Sequence, residues 1–475
     1  MSVIPSTPTS TCSAPAPLLH SRPRVESART EGPALPAVVG AELQVPTLSG
    51  GTTYANLDHA ASTPALVAAK EAVDRALETY ASVHRGAGHA SRLTSAWYEQ
   101  ARAQVAEFVG ARADDSVVFT RTTTDSWALL SSALPAATTV FVFASEHHST
   151  LLPWGDDRTV RLPVPRSVEE ARSLLGAALA RARSVDRDGE RLVVVTAASN
   201  VTGEVWPIEE LARVARVHGA RIAVDAAQLS GHRPIDLAGW DVDYVAFSGH
   251  KTYAPFGAGV LAGRSDWLDA GTPYLRGGGA TRTVGEHGTS WATGPARHEG
   301  GSPNVIGAIA LAAACATIAR HREAIEAHEA RLLARLRNGL RSIEGVEQLS
   351  AFGDGHDRVG VVAFTVRGLE PSLVSQVLSV EHGIGVRDGR FCAHLLVDDL
   401  LADARVTGDT LPGGGLATAV RASIGLGTTV EAVDRLIGAV RELVEAGPAA
   451  TWSRGDTGWV VSGNDPRDRE VARPW

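Results

Sequence analysis

Between about Leu48 and Val444 the chain switches repeatedly between two hydrophobic rhythms. Five short runs are almost continuously apolar: SVVFT (116–120), TVFVFA (139–144), RLVVVTAA (191–198), RIAVDAA (221–227) and DYVAFSG (243–249). Strands covered by helices on both faces read this way, whereas half-exposed strands alternate. Between them lie segments with helical spacing. SAWYEQARAQVAEFVG (95–110) runs out at a glycine, and PIEELARVARVHGA (207–220) opens on proline and ends near Gly219, the usual asymmetry of helix ends. Strand and helix in alternation predict an α/β fold around a mainly parallel sheet. A longer helical run, 304–343, with a break expected near His321, leads to a second region. There RVGVVAFTV and GIGVRDG predict strands, and TVEAVDRLIGAVRELVEA a closing helix. The expected organisation is a disordered tail over 1–47, a large domain over 48–303, a linking helix over 304–343, a small α+β domain over 344–448 with contributions from the N-terminal segment, and an appendage over 449–475.

Composition narrows the class. At 475 residues the chain is long enough for two or three domains. A formal net charge of −8 argues against a nucleic-acid or membrane surface. No apolar run reaches the length of a membrane span. Cys12, Cys315 and Cys392 are too few and too scattered for a disulfide framework or a zinc cluster, which fits a reducing cytosol. The first 45 or so residues are rich in Pro, Ser, Thr and Ala and lack the compact apolar core of a secretory signal.

In an open parallel sheet, ligands bind beyond the carboxyl ends of the strands. Those ends are polar here. Thr122, Thr123 and Thr124 follow the first run, His147 and His148 the second, and Asn200 the third; Asp225 and Gln228 follow the fourth, and Ser248, His250 and Lys251 the fifth. Each has an ordinary reading as a cap, a core histidine or a salt-bridge partner, and SGHKT lacks the spacing of a phosphate-binding P-loop. No HExxH or Cys/His spacing accompanies the histidines, so no metal is expected. Together the residues predict a site. Lys251 is one of only two lysines, with Lys70; every other basic residue among 45 is arginine. Lysine offers what arginine lacks, an amine that becomes neutral when desolvated and then attacks a carbonyl. Lys251 therefore reads as a Schiff-base residue, and the cofactor that needs one is pyridoxal 5'-phosphate, with Asp225 holding its ring nitrogen charged. Strand-end hydroxyls and backbone N–H groups suit its phosphate, and a flat imidazole can stack on its ring.

With these residues placed, the chain resembles the class V branch of fold-type-I aminotransferases, and most closely the cysteine desulfurase/selenocysteine lyase group. The similarity covers roughly residues 52–445. It runs through YANLDHAASTP, VFTRTTTD, EHHSTLLPW, SNVTGEVWPI, VDAAQ, AFSGHKTYAPFGAGVL, HEGGSPN and VRASIG. The resemblance implies a large domain with a mainly parallel seven-stranded sheet and a smaller α+β domain. It also implies roles: Lys251 in covalent linkage, Asp225 on the ring nitrogen, His147 stacked on the ring, and Gln228 and Asn200 at the ring oxygen or the substrate. Thr123, Thr124, Ser248 and His250 would hold the phosphate, with Ser302 reaching a neighbouring subunit's phosphate across a homodimer. Arg421 would clamp the substrate carboxylate, with Arg387 nearby.

The segment GIGVRDGRFCAHLLV decides between activities. Cys392 occupies the place of the desulfurase cysteine, but Arg390 and Phe391 stand where histidines would precede it. As a thiolate, favoured by Arg387 or Arg390, Cys392 would attack the substrate sulfur and leave an enzyme persulfide and alanine, with a sulfur-acceptor protein as a further partner. The competing reading makes it a small buried apolar residue. Two further functional readings stay open: a class V enzyme without a persulfide (C–S lyase, epimerase or aminotransferase on a specialised amino acid), and a non-catalytic member kept as a partner or regulator. The stretch 398–415 is longer than the closest desulfurase group leads one to expect and would reshape the mouth of the site.

Overall fold

A computed structural model describes residues 35–84, 86–403, 418–456, 458–468 and 473–475. All five apolar runs form strands: β1 (Asp115–Thr120), β2 (Thr139–Phe143), β4 (Arg191–Thr196), β5 (Arg221–Asp225) and β6 (Tyr244–Ser248). Two strands were not anticipated, β3 (Thr159–Leu162) and β7 (Gly259–Arg264). The seven build one sheet in the order β1-β7-β6-β5-β4-β2-β3. Neighbours from β6 through β3 pair in parallel, and only β7 runs antiparallel to both its neighbours. The fold is thus α/β with a seven-stranded, mostly parallel sheet. One face of the sheet packs a core with Val193, Val195, Ile222, Val224 and Phe247; the other packs Val194, Ala223, Tyr244 and Ala246 with Trp127 and Trp154. Both faces are dry, which is why the runs lack alternation.

The parallel strands all end on one edge, and the chain turns there into helices. Thr122 caps α1 (Thr123–Ala133), its hydroxyl accepting from the Asp125 N–H at 3.4 Å. His147 caps the short α2 (His148–Leu151), its Nδ1 accepting from the Ser149 N–H at 3.1 Å. Gly259 opens β7 directly against this edge. A Cβ there would come within 2.7 Å of the Thr122 backbone, so only glycine lets the two segments approach this closely.

The linking run forms two helices, α3 (Val305–Arg320) and α4 (Arg322–Arg341), bent by 77° around His321. No single helix among the described residues is long and apolar enough to cross a membrane. A second sheet follows, in the order β8-β9-β11-β10: β8 (Val346–Gln348), β9 (Val361–Val366), β10 (Arg387–Gly389) and β11 (Ala419–Ser423). It has its own core, in which Phe364, Val420 and Leu436 pack with Leu332 and Leu336 of α4. The N-terminal stretch contributes as well: Ala55–Asn56 pairs in parallel with Ile384–Gly385, and Ala55 and Leu57 join the core.

Part of the expected tail is folded. Gln44–Thr47 pairs with Gly50–Thr53 as a hairpin, and Val38 bridges Leu66; residues 1–34 lie outside the described residues. At the other end, Trp452–Gly455 and Gly458–Val461 form a second hairpin. Its Trp452 and Trp459 indole N–H groups donate to Glu381 at 2.9 Å and Glu370 at 3.1 Å, at the two ends of α5 (Pro371–His382).

A buried polar knot joins the two sheets. Glu204, just beyond β4, accepts from the Phe352 N–H at 2.7 Å, the Ser350 hydroxyl at 2.9 Å and the Arg358 guanidinium at 2.9 Å. Both charged partners are at most 5% exposed. Removing one of such a pair leaves the other buried and unpaired, at a cost of about 3–5 kcal/mol. The knot fixes the loop that carries Asn200 against the smaller sheet.

Candidate active site

The strand ends and the smaller sheet enclose a cavity of about 200 Å³. Thr123, Thr124, His147, Asn200, Asp225, Gln228, Ser248, His250, Lys251, Arg387, Cys392 and Arg421 all line it. Ser302, His148 and Arg390 do not line it, and Ser302 lies elsewhere. It is exposed, on a separate cleft of about 710 Å³ lined also by Arg102 and Glu299.

At one end the site is built for an anion. The Ser248 Oγ accepts from the Thr123 N–H at 2.7 Å and lies 2.7 Å from the Thr123 hydroxyl, where α1 begins. Helix N-termini of this kind favour negative charge. At the floor, the Asp225 carboxylate is almost buried. One oxygen accepts from the Ala227 N–H at 2.9 Å and the other from the Thr150 hydroxyl at 2.5 Å. Each oxygen keeps a second lone pair for a ligand.

Lys251 lines the same cavity. Burial pushes its amine down, Asp225 pulls it up, and Arg421 pushes it down again, to about 8 against an ordinary 10.5. Only the neutral amine attacks an aldehyde, and its fraction grows about tenfold per pH unit below that value. Covalent capture of an aldehyde by the ligand-free protein should therefore accelerate up to about pH 8 and then level off. Stopped-flow absorbance measures this; a rate still climbing tenfold per unit at pH 9.5 would show an unperturbed lysine. His147 is neutral for the same reasons: burial first, then the Lys251 charge, push it down to about 3. Its Nδ1 is held 2.7 Å from the Ser149 hydroxyl.

The other wall carries two arginines and a cysteine. Arg387 and Arg421 face each other across β10 and β11, an arrangement that like charges disfavour. Asp58, which the sequence reading did not single out, resolves it. One carboxylate oxygen accepts from Arg421 at 3.0 Å and the other from Arg387 Nε at 3.3 Å. Arg421 also donates to the Asn200 carbonyl at 2.9 Å, and its Nε is buried without a partner.

Cys392 is exposed to the cavity on a tightly held loop. Phe391 and Cys392 both adopt left-handed backbone, with φ of 51° and 55°, which costs non-glycine residues on the order of 1 kcal/mol each. The cost is met by fixed contacts. The His148 N–H donates to the Cys392 carbonyl and the Asn200 amide to the Phe391 carbonyl, both at 2.7 Å. The Phe391 ring is buried in an apolar cluster with Leu349, Leu396 and Val397, under the Arg421 guanidinium at 5.0 Å. A position expected to hold a histidine thus serves as an apolar anchor. Arg390 is not a free cation beside the thiol, because it is paired with Asp398. The cations whose charge couples to the cysteine are Lys251 and Arg421. Cys315 is buried on α3, where desolvation pushes its thiol far up; Cys12, and residues 404–415 of the long stretch, lie outside the described residues.

One cavity thus gathers a half-buried amine, a buried carboxylate, a helix start suited to an anion and a pair of arginines. The chain belongs to the class V aminotransferase family, whose model matches residues 55–436; it is a family of pyridoxal-phosphate enzymes. It is 35% identical over 408 residues to a cysteine desulfurase of Dickeya dadantii, covering 83% of this chain and 92% of that one. A cysteine desulfurase of Haloferax volcanii is 31% identical, over 88% of this chain and 96% of its own. Among solved structures, the apo cysteine desulfurase of Thermococcus onnurineus superposes with a TM-score of 0.71 at 31% identity, over 82% of this chain and 95% of that one. The Escherichia coli cysteine desulfurase CsdA, in an S-sulfonic acid form, gives 0.69 at 29% identity, again over 82% and 95%.

Proposed function

We propose that this protein is a pyridoxal-phosphate-dependent cysteine desulfurase-like enzyme that takes sulfur, or selenium, from an L-cysteine-type amino acid through a persulfide on Cys392. The observation that carries this reading is the shared cavity: Cys392 and Lys251 line the same 200 Å³ space. The residues also fit the cofactor. Gln228 Oε1 is buried there without a partner, Asp225 keeps accepting capacity, and Ser248 with the start of α1 forms a cradle sized by Gly259.

Lys251 would hold the cofactor covalently, Asp225 its ring nitrogen, and Gln228 with Asn200 its ring oxygen or the substrate. Ser248, His250, Thr123 and Thr124 would hold its phosphate, and neutral His147 would lie against its ring. Bound there, the cofactor supplies an electron sink for bonds at the substrate's Cα. Arg421, seconded by Arg387, binds the substrate carboxylate, and Asp58 keeps both guanidiniums oriented until it arrives. Lys251 Nζ moves the proton at Cα. The Cys392 thiolate attacks the substrate sulfur; the C–S bond breaks, its electron pair stays with the substrate's Cβ, and a proton there completes alanine. The sulfur remains on Cys392 until a thiol or an acceptor protein removes it. Ser302, exposed and outside its own chain's cavity, supports a homodimer in which it reaches the partner's cofactor phosphate. Free thiols at Cys315 and Cys392 fit a cytosolic setting.

Product identification tests the reading. With L-cysteine and dithiothreitol the protein should release alanine and sulfide in equal amounts. Pyruvate with ammonia, or racemised cysteine, would instead mark a C–S lyase or an epimerase.

A further inference from the structure

Gln228, which lines the cavity, is backed by buried polar side chains to which the proposed mechanism gives no part. Gln228, His232 and Glu329 are each at most 5% exposed. Gln228 Nε2 lies 3.4 Å from His232 Nε2. His232 Nδ1 is in contact with the Glu329 carboxylate, which reaches in from α4, and Arg233 donates to that carboxylate at 2.8 Å. Burial pushes the Glu329 carboxyl up, but His232 and Arg233 outweigh it and hold the group below its ordinary value. A carboxylate can only accept, so Nδ1 carries a proton toward it. In the neutral tautomer with its proton on Nδ1, Nε2 is the acceptor for a Gln228 N–H. The two ends of a glutamine amide are nearly isosteric, and nothing within the side chain chooses between them. In that tautomer a half-turn would set Oε1 against the imidazole lone pair, so the amide takes one orientation. Its second N–H and the unpartnered Oε1 are then presented in fixed places.

We propose that His232 and Glu329 are positioning residues: they lock the Gln228 amide so that it offers a preset N–H to the oxygen of a ring bound over Lys251. The inference rests on the functional reading above. The other charged or titratable groups coupled to this chain include His59 at His232, Tyr253 and His328 at Glu329, Arg322 at Arg233 and Glu329, and Asp357 beside Arg233.

The test reads the visible absorption band of the cofactor-loaded protein against pH. A donor on the ring oxygen competes with the proton shared between that oxygen and the lysine nitrogen, so losing the donor raises the pH midpoint of the band. Gln228→Ala should raise it by about one unit, the size of one charge-assisted hydrogen bond. His232→Leu and Glu329→Gln should raise it by half of that or more. The double variant Gln228→Ala/His232→Leu should go no further than Gln228→Ala alone, because the residues act through one another. Unchanged midpoints in the His232 and Glu329 variants, with only thermal stability lowered, would reduce the pair to a structural staple and overturn the proposal. Additive shifts would do the same. So would a downward shift in Glu329→Gln, the sign expected from losing a nearby negative charge. If the neutral replacements do not fold, Glu329→Asp keeps the buried charge while withdrawing it from Nδ1, and should again move the midpoint up. A wild-type protein with no visible band, or a Gln228→Ala midpoint equal to wild type, would fault the functional reading itself.

Discussion

Lys251→Arg yields a folded protein that neither develops a visible band with pyridoxal 5'-phosphate nor turns over L-cysteine, its activity falling more than about 10⁴-fold. Charge is not what position 251 requires. The side chain is half-buried, its charge coupled to Asp225, Arg421 and Arg387, and desolvation is the largest influence lowering its amine to about 8. At neutral pH a usable fraction of a lysine there is uncharged, whereas a guanidinium stays charged throughout the working range and forms no covalent link to an aldehyde. Arginine would also carry a permanent cation next to His147 and Arg421. Borohydride treatment of the freshly loaded wild type should add the mass of the reduced cofactor to the peptide containing Lys251, and to no peptide of the variant. Turnover by Lys251→Arg within tenfold of wild type would remove the lysine from the mechanism and leave the cavity unexplained.

The residues that could be read from sequence are those whose environment is set by their own strand. A strand buried on both faces must be apolar throughout, and its carboxyl end must turn polar where it leaves the sheet. Thr123, His147, Asn200, Asp225, Ser248 and Lys251 all announced themselves this way. β3 and β7 were missed for related reasons. β3 lies at the sheet edge with Val160 and Arg161 exposed, and β7 carries two glycines that read as loop. Residues 44–47 fell within the expected tail because no periodicity marks them. Their order comes from packing on α5, where the Leu48 N–H donates to the Val380 carbonyl at 3.1 Å, a partner over 300 residues away. Partnerships across such distances were the least legible. Asp58 gains its meaning only when two arginines from adjacent strands converge on it. Thr150 matters only because α2 sets it over Asp225. Phe391 looked like a defect in a histidine pattern until the apolar cluster beneath it came into view, and Arg390 like an activating cation until Asp398 claimed it.

Cys392→Ser should lower sulfide release from L-cysteine on the order of 10³-fold or more, as loss of a nucleophile does, while cofactor uptake and the spectral response to L-cysteine persist. The separation follows from how the loop is held. Its geometry depends on carbonyls, those of Phe391 and Cys392, and on the buried Phe391 ring, none of which involves the thiol. The substitution therefore leaves the cavity's shape, the paired arginines and Lys251 in place and changes only the atom that meets the substrate sulfur. A serine hydroxyl does not ionise at neutral pH and cannot accept sulfur as a persulfide. Mass spectrometry of the wild type after one equivalent of L-cysteine and no reductant should show one added sulfur on the peptide carrying Cys392 and none on that carrying Cys315. Sulfide release by Cys392→Ser at the wild-type rate would mean that sulfur leaves without passing through the protein. The strained backbone at residues 391 and 392 would then have to be explained by substrate shape rather than by aim, and the C–S lyase reading would take over.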